Sequence, residues 1–132
     1  MHRILLIDDD QTLRRAMRIT LEKFGYEVLE AGDGHAGIAA FKAQPVDLVV
    51  SDLIMPDMEG IETIRILRKL NPQLPIIAIS GGGRGTPDNY LHFASKFGAA
   101  LAFAKPFELN ALCTAVASLL RKNSVPPPVP SD

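Results

Sequence analysis

Five polar residues of this sequence could together carry out chemistry on a phosphoryl group. Each stands at the end of an apolar segment or directly after one, and they are Asp8, Asp9, Asp52, Ser80 and Lys105. Three carboxylates brought close together disfavour one another's ionisation, and a hard dication such as Mg²⁺ relieves that conflict while keeping several waters. The lysine ammonium and the serine hydroxyl can each hold a phosphoryl oxygen. The set therefore suits phosphoryl transfer onto a carboxylate, which gives an aspartyl phosphate.

The elements that must position these residues begin with five predicted strands. Short segments rich in β-forming residues cover 4–7, 26–31, 48–51, 75–79 and 101–104. The first of them is apolar at every position, which predicts a strand buried on both faces of its sheet.

Segments with apolar residues at helical spacing alternate with the strands and predict five helices. The first presents Leu13, Met17, Leu21 and Phe24 on one face, and Gly25 is expected just beyond its end. The others cover 36–43, 61–70, 89–97 and 109–121. Asp10 precedes the first helix, and a capping role there is favoured over metal binding.

This alternation predicts an α/β fold with a parallel sheet covered on both faces. With right-handed crossovers, the leading topology is a flavodoxin-like (βα)5 three-layer sandwich with five parallel strands in the order 2-1-3-4-5. A fragment of a (βα)8 barrel is the alternative, but it would be too short to close. Ligands bind beyond the carboxyl ends of such strands, so we expect all five polar residues to converge on one patch.

The composition favours one globular domain and excludes some functions. The chain has 132 residues, 47% of them hydrophobic and 22% charged, with a net charge of −1. Without a basic face, direct nucleic-acid binding is disfavoured, and no apolar run is long enough to span a membrane. The single cysteine, Cys113, fits a reducing cytoplasm. We expect the domain to cover 1–122 and a loose Pro-rich tail to cover 123–132.

Four motifs taken in order resemble the receiver domain of two-component response regulators, of the chemotaxis-type, single-domain kind. They are Asp8-Asp9, the stretch from Asp52 to Gly60, Ser80, and Lys105-Pro106-Phe107. Each lies at a predicted strand end, and the resemblance covers residues 3 to about 121. It implies that Asp52 takes a phosphoryl group from a phosphohistidine on a sensor histidine kinase or phosphotransfer protein.

The resemblance also implies a magnesium site. Asp9 would bind Mg²⁺ directly, and Asp8 would help through a water molecule. The carboxylate of Asp52 and the backbone carbonyl of Ile54 would complete the ligands that the protein supplies.

Ser80 and Lys105 have implied roles as well, and one departure from the family pattern bears on them. Ser80 would turn toward the phosphoryl group, and Lys105 would pair with it. The peptide between Lys105 and Pro106 is expected to be cis, as is usual in the family. The family's switch aromatic usually lies three residues before the lysine, where this chain has Ala102. Phe103 comes one place later, so strand alternation puts it on the opposite face.

The signalling route and the class of function remain open at this stage. Residues 81–85 include four glycines, which fit neither a dinucleotide fingerprint nor a P-loop. We expect phosphorylation to order residues 81–88, to move the helix at 89–97, and so to reshape a face over 89–121 that binds a downstream partner or a second copy. One alternative is a receiver-shaped scaffold that phosphate does not switch. Another is a metal-dependent phosphatase of small molecules.

Overall fold

A computed structural model describes residues 2–53, 60–80 and 98–123, with the side chains of residues 80, 122 and 123 outside that description. The elements along the described chain are β1 (Arg3–Ile7), α1 (Gln11–Lys23), β2 (Glu27–Ala31), α2 (Gly34–Ala43), β3 (Leu48–Asp52), α3 (Gly60–Leu70), β4 (Ile76–Ser80), β5 (Leu101–Ala104) and α4 (Leu109–Asn123). The helix predicted at 89–97, the glycine-rich loop and the Pro-rich tail lie outside the described residues.

The five strands form one parallel sheet in the order β2-β1-β3-β4-β5. This is the predicted topology, and the α/β sandwich class is confirmed.

The central strands are buried on both faces, and alternate side chains feed two separate apolar clusters. In β1, Ile4 and Leu6 join the cluster under α1 and α4, whereas Leu5 and Ile7 join the cluster under α2 and α3. All four side chains are fully buried. A strand covered on both sides cannot alternate apolar with polar residues, which is why this segment is apolar throughout.

The ends of the first helix match the sequence signals, with one exception. The carboxylate of Asp10 accepts a hydrogen bond from the Leu13 amide, so Asp10 is the predicted N-cap. Gly25 has φ +93°, a conformation that glycine adopts without steric cost, just after the C-cap residue Phe24. Helical spacing predicts Phe24 on the buried face, whereas the residue is 63% exposed. The helix ends at Lys23, so helical spacing no longer orients the ring toward the core.

Other element ends shift by one or two residues from those predicted. The helix α2 begins at Gly34 because Asp33 caps it by accepting from the Ala36 amide. The strand β3 includes Asp52, and α4 continues to Asn123. In the described ranges, no helix is both long and apolar enough to cross a membrane.

Candidate functional site

The carboxyl ends of β1 and β3 lie side by side, which brings two of the predicted site residues together. Ile7 is paired with Ser51, so Asp8 and Asp52 follow neighbouring positions of the sheet. The amide of Asp8 donates to the Ala31 carbonyl of β2 at 3.1 Å, which extends the ladder one residue beyond β1. The backbone of Asp8 is thereby held by the sheet rather than by a free loop.

Asp8, Asp9 and Asp52 each offer one carboxylate oxygen to a group in which all such atoms lie within 4.8 Å of one another. Asp8 is fully buried and Asp52 is 2% exposed, whereas Asp9 is open to solvent. The predicted carboxylate cluster is therefore present, with one accessible side. Ile54, the fourth predicted ligand, lies outside the described residues.

Lys105 follows β5 and reaches across the sheet ends into this cluster. Its Nζ lies 3.3 Å from Oδ2 of Asp52, and 3.4 and 3.1 Å from Oδ1 and Oδ2 of Asp8. Burial alone would lower the pKa of Lys105, but the charges of Asp52 and Asp8 and their hydrogen bonds outweigh it and raise that pKa. The ammonium therefore stays charged at neutral pH and is shared between two carboxylates.

The donors present fit a hard divalent cation. Three carboxylates face one ammonium, so a formal excess of two negative charges remains at the site. Oδ1 of Asp8 accepts a hydrogen bond from the Asp10 amide at 2.8 Å. Oδ2 of Asp8 is buried and, among the described residues, accepts no hydrogen bond, since its contact with Lys105 has ion-pair distance without the alignment. Such an under-coordinated carboxylate oxygen is a ligand that Mg²⁺ accepts.

Ser80 and Asp10 complete the account of the predicted polar residues near the site. Ser80 is the last residue of β4 and pairs with Ala104, directly before Lys105. Its backbone is thus at the predicted strand end, while its side chain lies outside the description. Asp10 points its carboxylate at the Leu13 amide, in agreement with the capping role that the sequence favoured.

The comparisons with known proteins agree with this geometry. The family model described as "Response regulator receiver domain" matches residues 4–117. The chain is a response regulator receiver domain.

Relatives of this receiver include both short and long proteins. It is 33% identical over 122 residues to the response regulator receiver protein CpdR of Brucella abortus, covering 91% of this chain and 98% of that protein. It is 32% identical over 121 residues to the autoinducer 1 sensor kinase/phosphatase LuxN of Vibrio campbellii, covering 92% of this chain and 14% of that protein. The receiver thus spans about a seventh of the longer relative's length.

Solved structures show the same fold. A CheY-like receiver domain protein from Methanospirillum hungatei superposes with a TM-score of 0.85 at 29% identity, covering 92% of this chain and 95% of that one. A receiver domain protein from Clostridium thermocellum gives a TM-score of 0.83 at 30% identity, covering 92% of this chain and 96% of the other.

Residues 102 and 103 of β5, the strand before Lys105, face opposite sides of the sheet. Ala102 packs against the cluster under α2 and α3, whereas Phe103 packs against the cluster under α1 and α4. The Phe103 ring lies 5.5 Å from that of Phe107, measured between centroids. The predicted opposite orientation of residues 102 and 103 is confirmed, and so is the cis peptide between Lys105 and Pro106.

Gly60 contributes to the site in a way that the sequence motif alone did not explain. Its amide donates to the Leu53 carbonyl at 3.0 Å, and α3 begins there. A Cβ at this position would overlap the carbonyl oxygen of Asp52 and the Cα of Leu53. Only glycine therefore lets the start of α3 pack against the backbone of Asp52. The motif contained this residue, but its role depends on a contact between two elements.

Proposed function

We propose that this receiver accepts a phosphoryl group on Asp52 in a Mg²⁺-dependent reaction and signals by changing conformation. The observation that carries the proposal is the position of the Asp52 carboxylate, which is buried between a lysine ammonium and two further carboxylates at the carboxyl edge of the sheet. No substrate-binding cleft is needed for such a reaction, because the donor protein brings the phosphoryl group with it.

In the proposed reaction, a carboxylate oxygen of Asp52 attacks phosphorus as the bond between phosphorus and the donor nitrogen breaks. The donor histidine leaves with that electron pair and takes up a proton, so charge and atoms balance. Asp9, Asp52 and the carbonyl of Ile54 would hold Mg²⁺, with Asp8 helping through a water molecule, and the ion would supply positive charge against the transferring group. Lys105 moves from a carboxylate partner to a phosphoryl oxygen, which keeps the ammonium paired throughout. Ser80 donates a hydrogen bond to a second phosphoryl oxygen.

The donor is proposed to be a phosphohistidine of a sensor histidine kinase or a phosphotransfer protein. Segments similar to this receiver occur in proteins named as a sensor kinase/phosphatase and as a sensor kinase, the latter 35% identical over 121 residues in Brucella abortus CckA. We place the reaction in the cytoplasm, and we assign the receiver no catalysis beyond its own phosphorylation and slow dephosphorylation.

The output is proposed to act through the face formed by residues 89–121. Its described parts are the edge strand β5, where Leu101 is 41% exposed, and the outer surface of α4. An edge strand with an exposed apolar side chain suits contact with a protein partner or with a second copy.

Phosphorylation by a small donor tests the proposal. The receiver is incubated with acetyl phosphate and Mg²⁺, and the modified residue is located by mass spectrometry after borohydride trapping. We expect one phosphoryl group on wild type, none on Asp52→Asn, and wild-type labelling on the matched control Asp33→Asn. That control makes the same chemical change at a helix cap, where asparagine serves equally well. Undiminished labelling of Asp52→Asn would refute the assignment.

A further inference from the structure

Arg14 links the main chain of Asp8 to the neighbouring strand. Its Nη1 donates to the Asp8 carbonyl oxygen at 2.6 Å, and its Nε donates to Oε1 of Glu30 in β2 at 2.7 Å. The two side chains are 15% and 20% exposed, respectively. One guanidinium on α1 is thus hydrogen-bonded to the end of β1 and to β2 at the same time.

Glu30 is itself held in place from a second side. Its Oε2 accepts from Nη1 of Arg18 at 2.8 Å, and Nε of Arg18 contacts Oε2 of Glu22 at 3.0 Å. The hydrogen bond from Arg18, with a further contribution from Arg14, holds the pKa of Glu30 below its usual range in spite of burial. The carboxylate is therefore charged near neutral pH and remains a strong acceptor for Arg14.

Asp8 consequently has little freedom at its main chain. Its amide donates to the Ala31 carbonyl, its own carbonyl accepts from Arg14, and its Oδ1 accepts from the Asp10 amide. Asp9 is the next residue, so a shift of the Asp8 carbonyl would displace both carboxylates relative to Asp52. Groups beyond the direct ligands commonly set ligand orientation in this way.

We propose that Arg14 is a positioning residue for the acidic pair and that it sets the Mg²⁺ affinity of the receiver through the Asp8 carbonyl. This inference rests on the proposed function and adds a residue that the four sequence motifs do not contain. The hydrogen bonds of Arg14 go to the Asp8 carbonyl and to Glu30, so it would act by fixing where the Asp8-Asp9 main chain lies.

The loss of Arg14 would affect Mg²⁺ affinity in two opposite ways, through its charge and through its hydrogen bond to Asp8. Removing a cation from the neighbourhood of a metal site would, by Coulomb's law, strengthen the binding of a dication. Loss of the hydrogen bond to Asp8 would instead loosen the carboxylates and weaken binding. The hydrogen bond to the Asp8 carbonyl is short, at 2.6 Å, and is lost completely with the guanidinium. The positional effect is therefore expected to dominate.

The test measures Mg²⁺ affinity by amide chemical shifts in Arg14→Gln, Arg14→Lys and the matched control Arg18→Gln. The control removes the same charge from the same helix and shares the partner Glu30, but Arg18 makes no contact with Asp8 among the described residues. We expect about tenfold weaker binding in Arg14→Gln, the scale typical for loss of an outer hydrogen bond to a ligand residue. We expect intermediate binding in Arg14→Lys, since an ammonium reaches one of the two acceptors without the planar fork.

Binding in Arg14→Gln that equals or exceeds that of Arg18→Gln would overturn the inference. Should Arg14→Gln fail to fold, the comparison of Arg14→Lys with Arg18→Gln decides in the same way. Spectra without metal separate this inference from the proposed function. If the amide chemical shifts of Asp9 and Asp10 change in the Arg14 variants but not in Arg18→Gln, the positioning role is supported even if wild type binds no Mg²⁺. If these shifts are unchanged in all variants, the positioning role is refuted.

Discussion

Lys105 and Asp52 are separated by 53 residues in the sequence, yet Nζ of the lysine lies 3.3 Å from Oδ2 of the aspartate. The same ammonium lies 3.1 Å from Oδ2 of Asp8, which is 97 residues away. One cation thus bridges the proposed phosphoacceptor and a proposed metal-binding carboxylate. Its charge offsets part of the negative charge of the acidic cluster.

Replacement of Lys105 by Met should make the stability of the receiver more dependent on Mg²⁺. Without the ammonium, two buried carboxylates lose their ion pair, which should cost about 1–3 kcal/mol in metal-free buffer. A dication can supply the missing positive charge, so the rise in melting temperature on adding Mg²⁺ should exceed that of wild type. Differential scanning calorimetry measures both effects. The control is Lys42→Met, at an exposed position on α2; an equal Mg²⁺ response in the two variants would contradict the prediction.

Gly60→Ala should destabilise the receiver and impair labelling of Asp52. The added methyl group overlaps the Asp52 carbonyl and the Leu53 backbone, so α3 or the phosphoacceptor must move. Forced overpacking of this kind costs about 1–3 kcal/mol. Gly32→Ala is the control for folding stability alone, since its Cβ would make only an ordinary 3.6 Å contact with Nη1 of Arg14. Urea denaturation and acetyl phosphate labelling check the result. Wild-type values for both in Gly60→Ala would show that the backbone accommodates the methyl group.

Asp9→Ala and Asp10→Ala should separate metal binding from helix capping. Loss of Asp9 removes the solvent-accessible carboxylate of the cluster and should abolish most Mg²⁺ binding at millimolar metal, while leaving α1 capped. Loss of Asp10 should cost about 1 kcal/mol of stability and leave Mg²⁺ binding near wild type. Chemical-shift titration and thermal unfolding of both variants test the pair of expectations. If Asp10→Ala lost as much Mg²⁺ binding as Asp9→Ala, the assignment of Asp10 to helix capping rather than metal binding would be wrong.

The contribution of Glu30 to stability should disappear at acidic pH. Its hydrogen bonds with Arg18 and Arg14 lower its pKa from the usual 4.5, so the folded state binds this proton less readily than the unfolded state. The resulting stabilisation is fully present above pH 4.5 and is lost as the pH falls through the lower, folded-state pKa. Glu30→Gln should therefore be less stable than wild type at pH 7, with a difference that shrinks below pH 4.5. A difference that does not depend on pH would argue against the charged interaction.

Activation should change hydrogen exchange chiefly over residues 81–97, which lie outside the described part of the chain. The four glycines in 81–85 give the backbone many conformations to lose, and a phosphoryl group next to Ser80 offers acceptors to nearby amides. We expect increased protection of these residues with beryllofluoride and Mg²⁺, and none in Asp52→Asn. Unchanged protection at 81–97, together with a change on another face, would refute this route.

Much of the fold was predictable because the signals that specify it are local. An apolar run such as Ile4 to Ile7 specifies a strand buried on both faces, and Asp10 and Gly25 mark the ends of α1 through their own backbone chemistry. In a parallel sheet, the residues after successive strands meet at one edge. The sequence therefore also predicts that Asp8, Asp9 and Asp52 lie together.

Only the tertiary structure decided which atoms meet at that edge. Three contacts join separate elements there. The Lys105 ammonium pairs with both Asp8 and Asp52, Gly60 packs against the Asp52 backbone, and Arg14 donates a hydrogen bond to the Asp8 carbonyl. Helical periodicity also placed Phe24 in the core, where it is not, because the helix ends one residue earlier. Spacing along a chain reports which face of an element a residue occupies, whereas such contacts depend on how separate elements are packed in space.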